Sequence, residues 1–200
     1  MSVADYLVNK MLQKNIVVDD KEIYIYGLNN GIMILINFMT TFFLSFMMQK
    51  TFILLFFLVS FIPLRSYCGG IHCKSRILCY LFSNVIILLL LNIQNLFCNN
   101  IIIFLLISFV NFIYLFCIKT TGNQTRYLDN CEIIRYTKIK RIILFSIAII
   151  GITLIVINFF LYATTLFSSI NLVALLVILE KINTVFMKTV ILNVKNMEFS

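Results

Sequence analysis

Charge is what this chain of 200 residues has least of: only 12% of it is Asp, Glu, Lys or Arg, about half the share of a soluble domain. Four stretches, 28–49, 51–64, 77–118 and 142–179, carry no charged residue at all. With 62% hydrophobic residues and a mean hydropathy of +1.02, a soluble fold is excluded, because its core would be far too large for its surface. Other absences narrow the chemistry. There is no His-Glu-x-x-His, which a zinc protease of that class needs, and no Gly-x-Ser-x-Gly nucleophile elbow. Cys68, His72 and Cys73 hint at zinc, yet no second paired cluster completes four ligands. Neither a metal nor a cofactor is expected. No internal repeat or low-complexity segment breaks the chain, so residues 1–200 read as a single membrane domain.

What is present is hydrocarbon in helical lengths. A helix needs roughly 20 apolar residues to cross a bilayer core, and the two longest uncharged runs are about twice that. Each has a polar interruption, at 92–100 and at 162–169, which reads as the turn of a hairpin. The expected fold is all-α: a polytopic membrane protein with six spans near 28–48, 52–64, 76–94, 101–118, 142–161 and 166–180. The second is short and ends at Pro63, which suits either a short crossing or a re-entrant segment. Before the spans, residues 1–27 mix both charge signs and lack a signal-peptide pattern. Val3, Tyr6, Leu7 and Met11 recur there at helical spacing, which predicts a short amphipathic helix in the interface. Residues 181–200 form a basic tail.

Sixteen basic residues against eight acidic ones orient the chain. If the termini, the 65–76 loop and the 119–141 loop share one side, every charged residue except Lys50 lies on it. Basic loops stay in the cytoplasm, so these segments are expected there. Free thiols are expected for the six cysteines in that compartment. The bilayer is the partner this composition demands; a nucleic acid is not expected.

One stretch breaks the pattern. Arg65 to Cys79 holds the only histidine, the only Gly-Gly pair and three of the six cysteines. Polar and ionisable groups beside lipid are costly and mark functional sites. Cysteine attacks as a thiolate, a form favoured by an imidazole neighbour and by the positive end of a helix. Ser75 is a good N-cap residue, which would put Cys79 in the first turns of the third span. On one continuous helix His72 and Cys79 would be about 10 Å apart along the axis. A dyad therefore requires His72 in a loop folded back over the helix start, with Gly69-Gly70 supplying the freedom. The plainer alternatives are an interfacial anchor for His72 and a simple turn for the glycines.

Arg65-x-Tyr67-x-Gly69-Gly70-x-His72-x-Lys74-Ser75-x₃-Cys79-Tyr80 resembles the signature of the accessory gene regulator B (AgrB) family, membrane cysteine endopeptidases of Gram-positive quorum sensing. The likeness extends to length, span number, the basic segment after the fourth span and the basic tail. Many relatives carry proline after the fourth span; residues 118–126 here have none. The resemblance implies that His72 and Cys79 are catalytic and that no cofactor takes part. It also implies an AgrD-like propeptide substrate with an acidic tail, cleaved through a Cys79 thioester and cyclised to a thiolactone or lactone. Dimerisation is implied only at the level of the family.

Arg65, Gly69, Gly70, Lys74 and Ser75 are the expected substrate contacts in the motif. Lys138, Lys140 and Arg141 would add a docking surface for the acidic tail, unless these charges only set topology. Asp129 or Glu132 would orient His72. The competing functions are a small peptide exporter, disfavoured because the spans hold no ionisable relay or repeat pair, and a non-catalytic scaffold.

Overall fold

The computed structural model of the chain describes residues 6, 8–11, 21–69, 76–120 and 129–197. Its elements are α1 (Lys21–Met47), α2 (Thr51–Cys68), α3 (Arg76–Asn99), α4 (Ile101–Cys117), α5 (Asn130–Val156) and α6 (Phe160–Met197), with no strand among the described residues. All but α4 are long and apolar enough to cross a membrane. The 17 residues of α4 sit at the lower limit for a span. The chain is an all-α polytopic membrane protein. Near its start Tyr6 and 8–11 are helical. Val8 is buried there, while Tyr6 and Met11 are exposed; Val3 and Leu7 of the expected face lie outside the described residues.

The helices group into two compact units, the first made of residues 1–49 and 73–88. In it α1 is tied to the start of α3 by polar side chains. Asn84 Nδ2 donates to Asn37 Oδ1 at 2.9 Å and to the Tyr80 carbonyl at 2.8 Å. Ser83 Oγ donates to the same Asn37 oxygen at 3.1 Å. Such pairing is how polar groups are accommodated where lipid offers no partner.

The second unit holds residues 50–72 and 89–200. Its central helix is α6, which packs against α2, α4 and α5. Here a sequence expectation fails. Residues 162–169, expected to form a hairpin turn, lie within α6, and those from Ala163 onward are buried. The hydroxyls bond back along the helix: Thr165 to the Leu161 carbonyl, Ser168 to that of Thr164 and Ser169 to that of Leu166, each at 2.7 Å. Once satisfied internally, small Ala, Ser and Thr side chains let neighbouring helices approach closely. Gln94 is buried against them, with Nε2 2.9 Å from Thr164 Oγ1 and 2.7 Å from Thr165 Oγ1.

The actual break comes earlier, at Asn158. Its φ is 66°, the left-handed conformation that asparagine tolerates better than most residues. Phe159 N–H bonds to the Leu154 carbonyl and Asn158 N–H to that of Ile155, the paired bonds of a Schellman helix end. The other hairpin turn lies within the expected 92–100 segment but is confined to Asn100, as α3 continues through Asn99.

Packing on α6 is tight enough to test. A Cβ added to Gly151 of α5 would lie 2.8 Å from two ring atoms of Phe167, a ring only 8% exposed. Gly151→Ala is expected to cost about 1–3 kcal/mol through overpacking, read as a lower unfolding temperature in detergent. Adding Phe167→Leu should restore most of the loss; no recovery would place the strain elsewhere.

Candidate active site

The second span departs from expectation. α2 does not stop at Pro63 but runs on to Cys68, giving about 27 Å of helix at 1.5 Å per residue. Proline removes one helical bond, which membrane helices tolerate where other groups satisfy the freed backbone. The helix ends at Gly69, whose φ of 81° and ψ of −156° suit glycine and almost nothing else. The first glycine of the diglycine thus stops the helix. Arg65 lies in the last turn, its guanidinium carbon 5.7 Å from the Phe61 ring centroid.

Cys79 belongs to the other unit. It is an exposed free thiol three residues after Arg76, where the description of α3 begins. Gly70, His72, Lys74 and Ser75 lie outside the described residues, as does Cys73. Cys117 and Cys131 are also exposed free thiols, while Cys68 is buried. Among the described residues no three His, Cys, Asp or Glu side chains gather closely enough to hold a metal.

The basic segment is not one loop. α5 starts at Asn130, so Lys138, Lys140 and Arg141 are helical. Asp129 and Glu132 form a capping box, with the Glu132 carboxylate accepting from the Asp129 N–H at 3.3 Å. Glu132, expected as an orienter of His72, is thus engaged at a helix start. Thr137, Lys140, Leu144, Ile147 and Gly151 are the buried residues of α5, spaced by three and four as an inward stripe requires. Lys140 falls on that stripe and is 1% exposed. Its ammonium group donates to the Ile118 carbonyl just past α4. The expectation that Lys140 shares a docking surface with its neighbours is therefore corrected: it faces the interior.

Arg141 is half-buried, with Nε 3.4 Å from the Phe116 carbonyl and its guanidinium carbon 4.6 Å from that ring's centroid. Lys138 alone of the three is exposed, as is Arg135 one turn before it. Beside them, unanticipated from sequence, Thr120 and Thr137 join the ends of three helices. Thr120 Oγ1 donates to the Tyr67 carbonyl at 3.0 Å, and its N–H reaches Thr137 Oγ1 at 3.3 Å. The signal available was only that threonines beside a membrane interface seek backbone partners.

The accessory gene regulator B (AgrB) family model matches residues 2–191. The chain belongs to the AgrB family. No curated protein and no solved structure matches it. Membership gives the chain a part in processing the peptide of agr quorum sensing and agrees with its multi-pass architecture. The match includes the AgrB-like stretch from Arg65 to Cys79 and the four basic side chains of α5, Arg135, Lys138, Lys140 and Arg141.

Proposed function

We propose that this AgrB-family chain is a membrane cysteine endopeptidase that removes the acidic tail of an AgrD-like propeptide and promotes cyclisation of the rest. The observation that carries the reading is the family match over residues 2–191, together with the Gly-Gly-x-His-x₆-Cys motif inside it. The exposed Cys79 thiol near the start of α3 adds support, because a nucleophile must be reachable. The catalytic stretch, the basic segments and the termini face the cytoplasm in this reading, as the distribution of Lys and Arg favours.

Each bond change can be given to a group. His72 takes the proton of the Cys79 thiol, and the sulfur adds to the carbonyl carbon of the scissile bond. The C–N bond then breaks, and His72 returns the proton to the departing amine of the tail. This leaves a thioester on Cys79. A cysteine or serine within the substrate attacks that thioester, passes its proton to His72, and displaces the Cys79 sulfur. The ring closes and the enzyme is regenerated. Cyclisation outruns hydrolysis because an internal nucleophile has a high effective molarity.

Mass analysis of a propeptide co-expressed with wild type, Cys79→Ala or His72→Ala decides among the functions. A peptidase loses tail cleavage in both variants; unchanged cleavage in either would overturn the dyad. An exporter or scaffold would change where the peptide accumulates without selective loss of the cleaved form.

Docking of the tail falls to the exposed cations Arg135 and Lys138, not to Lys140. Replacing both by Ala is expected to raise KM about three- to tenfold with kcat held, the effect shrinking as salt rises. Unchanged KM with normal membrane insertion would leave these charges a purely topological role.

A further inference from the structure

Charges that border uncharged runs mark where helices leave the hydrocarbon, since a charge within it is costly. Run 77–118 is followed by Lys119, and run 142–179 is bounded by Arg141 and by Glu180-Lys181. The second unit gathers Arg141 and Lys181 around the end of α4. The Arg141 guanidinium carbon lies 4.6 Å from the ring centroid of Phe116, and the Lys181 ammonium 5.7 Å from that of Tyr114. Both rings belong to the last turn of α4. Buried Lys140 stands behind them, donating to the Ile118 carbonyl and close enough to Arg141 and Lys181 for their charges to repel. The negative end of α4 attracts cations, which accounts for Lys140 and for the Arg141 Nε directed at the Phe116 carbonyl. It does not account for the rest of the Arg141 guanidinium or for Lys181. Among the described residues neither side chain has a carboxylate partner, and Glu180, next in sequence, makes no ion pair with Lys181.

We propose that Arg141 and Lys181, at the end of α4, form a binding site for the phosphate headgroup of an anionic phospholipid. Like charges gathered this closely with Lys140 repel one another, and an anion between them offsets that cost. Two features favour a lipid over an acidic peptide. Arg141 is half-buried, and Phe145, one turn further toward the hydrocarbon, is 50% exposed. Phe145 packs edge-on against Phe116, the ring under the guanidinium, and against Phe112. A headgroup held by the two cations therefore runs its acyl chains along an aromatic wall that faces lipid. Basic pockets between membrane helices hold anionic headgroups in this way. The exposed Arg135, by contrast, lies about 9 Å farther back along α5 from the hydrocarbon, where a carboxylate arriving from water is met first. Lipid at this site neither requires nor involves the catalytic pair.

In the test, the full chain is extracted in mild detergent from vesicles holding equal amounts of phosphatidylcholine and phosphatidylglycerol with the same acyl chains. Lipids retained after desalting are counted by native mass spectrometry. Wild type is expected to retain phosphatidylglycerol in preference, by about fivefold for each cation that meets the phosphate. Arg141→Gln and Lys181→Gln should each lose about that factor, and the double variant the whole preference. Joint replacement of Arg135 and Lys138 by Ala should leave the preference in place. Equal retention of the two lipids by wild type would overturn the proposal, and this arm needs no variant to fold. A preference that survives in the double variant, or one that vanishes with Arg135 and Lys138 instead, would overturn it too. Inorganic phosphate and a synthetic acidic peptide, each added during extraction, identify the source of the anion. Neither should displace the lipid. Displacement by phosphate would make this a site for free anions, and displacement by the peptide would place Arg141 and Lys181 on the substrate surface; either result ends the lipid assignment.

Discussion

Cys79→Ala, His72→Ala and the double variant are expected to show one common residual level of propeptide cleavage, at least about 10⁴-fold below wild type. Groups that act as a unit are strongly non-additive, since removing either leaves the other without a task. Without the thiol there is no acyl acceptor for the peptide, and an imidazole has nothing to deprotonate. Without the imidazole the thiol keeps its proton and the leaving amine lacks a donor. Two independent contributions would instead multiply, and the double variant would fall well below either single one. Cys79→Ser should stay near that common level, because a hydroxyl is a far weaker nucleophile than a thiol under the same base. Single-turnover assays in membrane vesicles, with cleaved tail counted by mass, give the required range. A double variant clearly worse than both singles would separate the roles of His72 and Cys79 and end the dyad account.

How far the fold was legible follows from where polarity was spent. The charge-free runs announce membrane helices directly, because nothing but length and apolarity is needed to recognise them. Their ends were harder. Tyr162 to Ser169 looks like a turn by composition, yet hydroxyls that bond to their own helix carbonyls leave no net polarity for water to solvate. The true break needed only Asn158 in a left-handed conformation, one asparagine in a run of apolar residues. Pro63 misled in the same way, since its local effect was outweighed by the helix that continues to Cys68.

For the candidate site, the short motif singled out His72 and Cys79 as candidates because the chain has one histidine and one Gly-Gly pair. The threonine junction of the three helix ends was not legible. It joins residues 67, 120 and 137, and only a packed structure brings such distant positions together. Lys140 lay between the two cases. Its spacing to Leu144, Ile147 and Gly151 was visible from the start, but a lysine among basic neighbours is read first as a surface charge.

Lys140→Ala is accordingly expected to destabilise the fold by about 2–4 kcal/mol, and Lys140→Met by much less. The alanine removes a long side chain from a site that is 1% exposed, which costs the lost packing and the cavity left behind. It also strips the Ile118 carbonyl of its ammonium donor. Methionine loses the same hydrogen bond but keeps the length and flexibility that fill the space. It also relieves the cost of keeping a cation away from water, and apolar replacements of buried charges are often neutral for that reason. A surface cation used for docking would order the variants differently. Both substitutions would then weaken substrate binding alike, as Arg135 and Lys138 substitutions are expected to do, and neither would change stability. Unfolding temperatures in detergent set beside KM values for the two variants distinguish the cases. Equal stability of Lys140→Ala and wild type, with KM raised in both variants, would return Lys140 to the substrate surface.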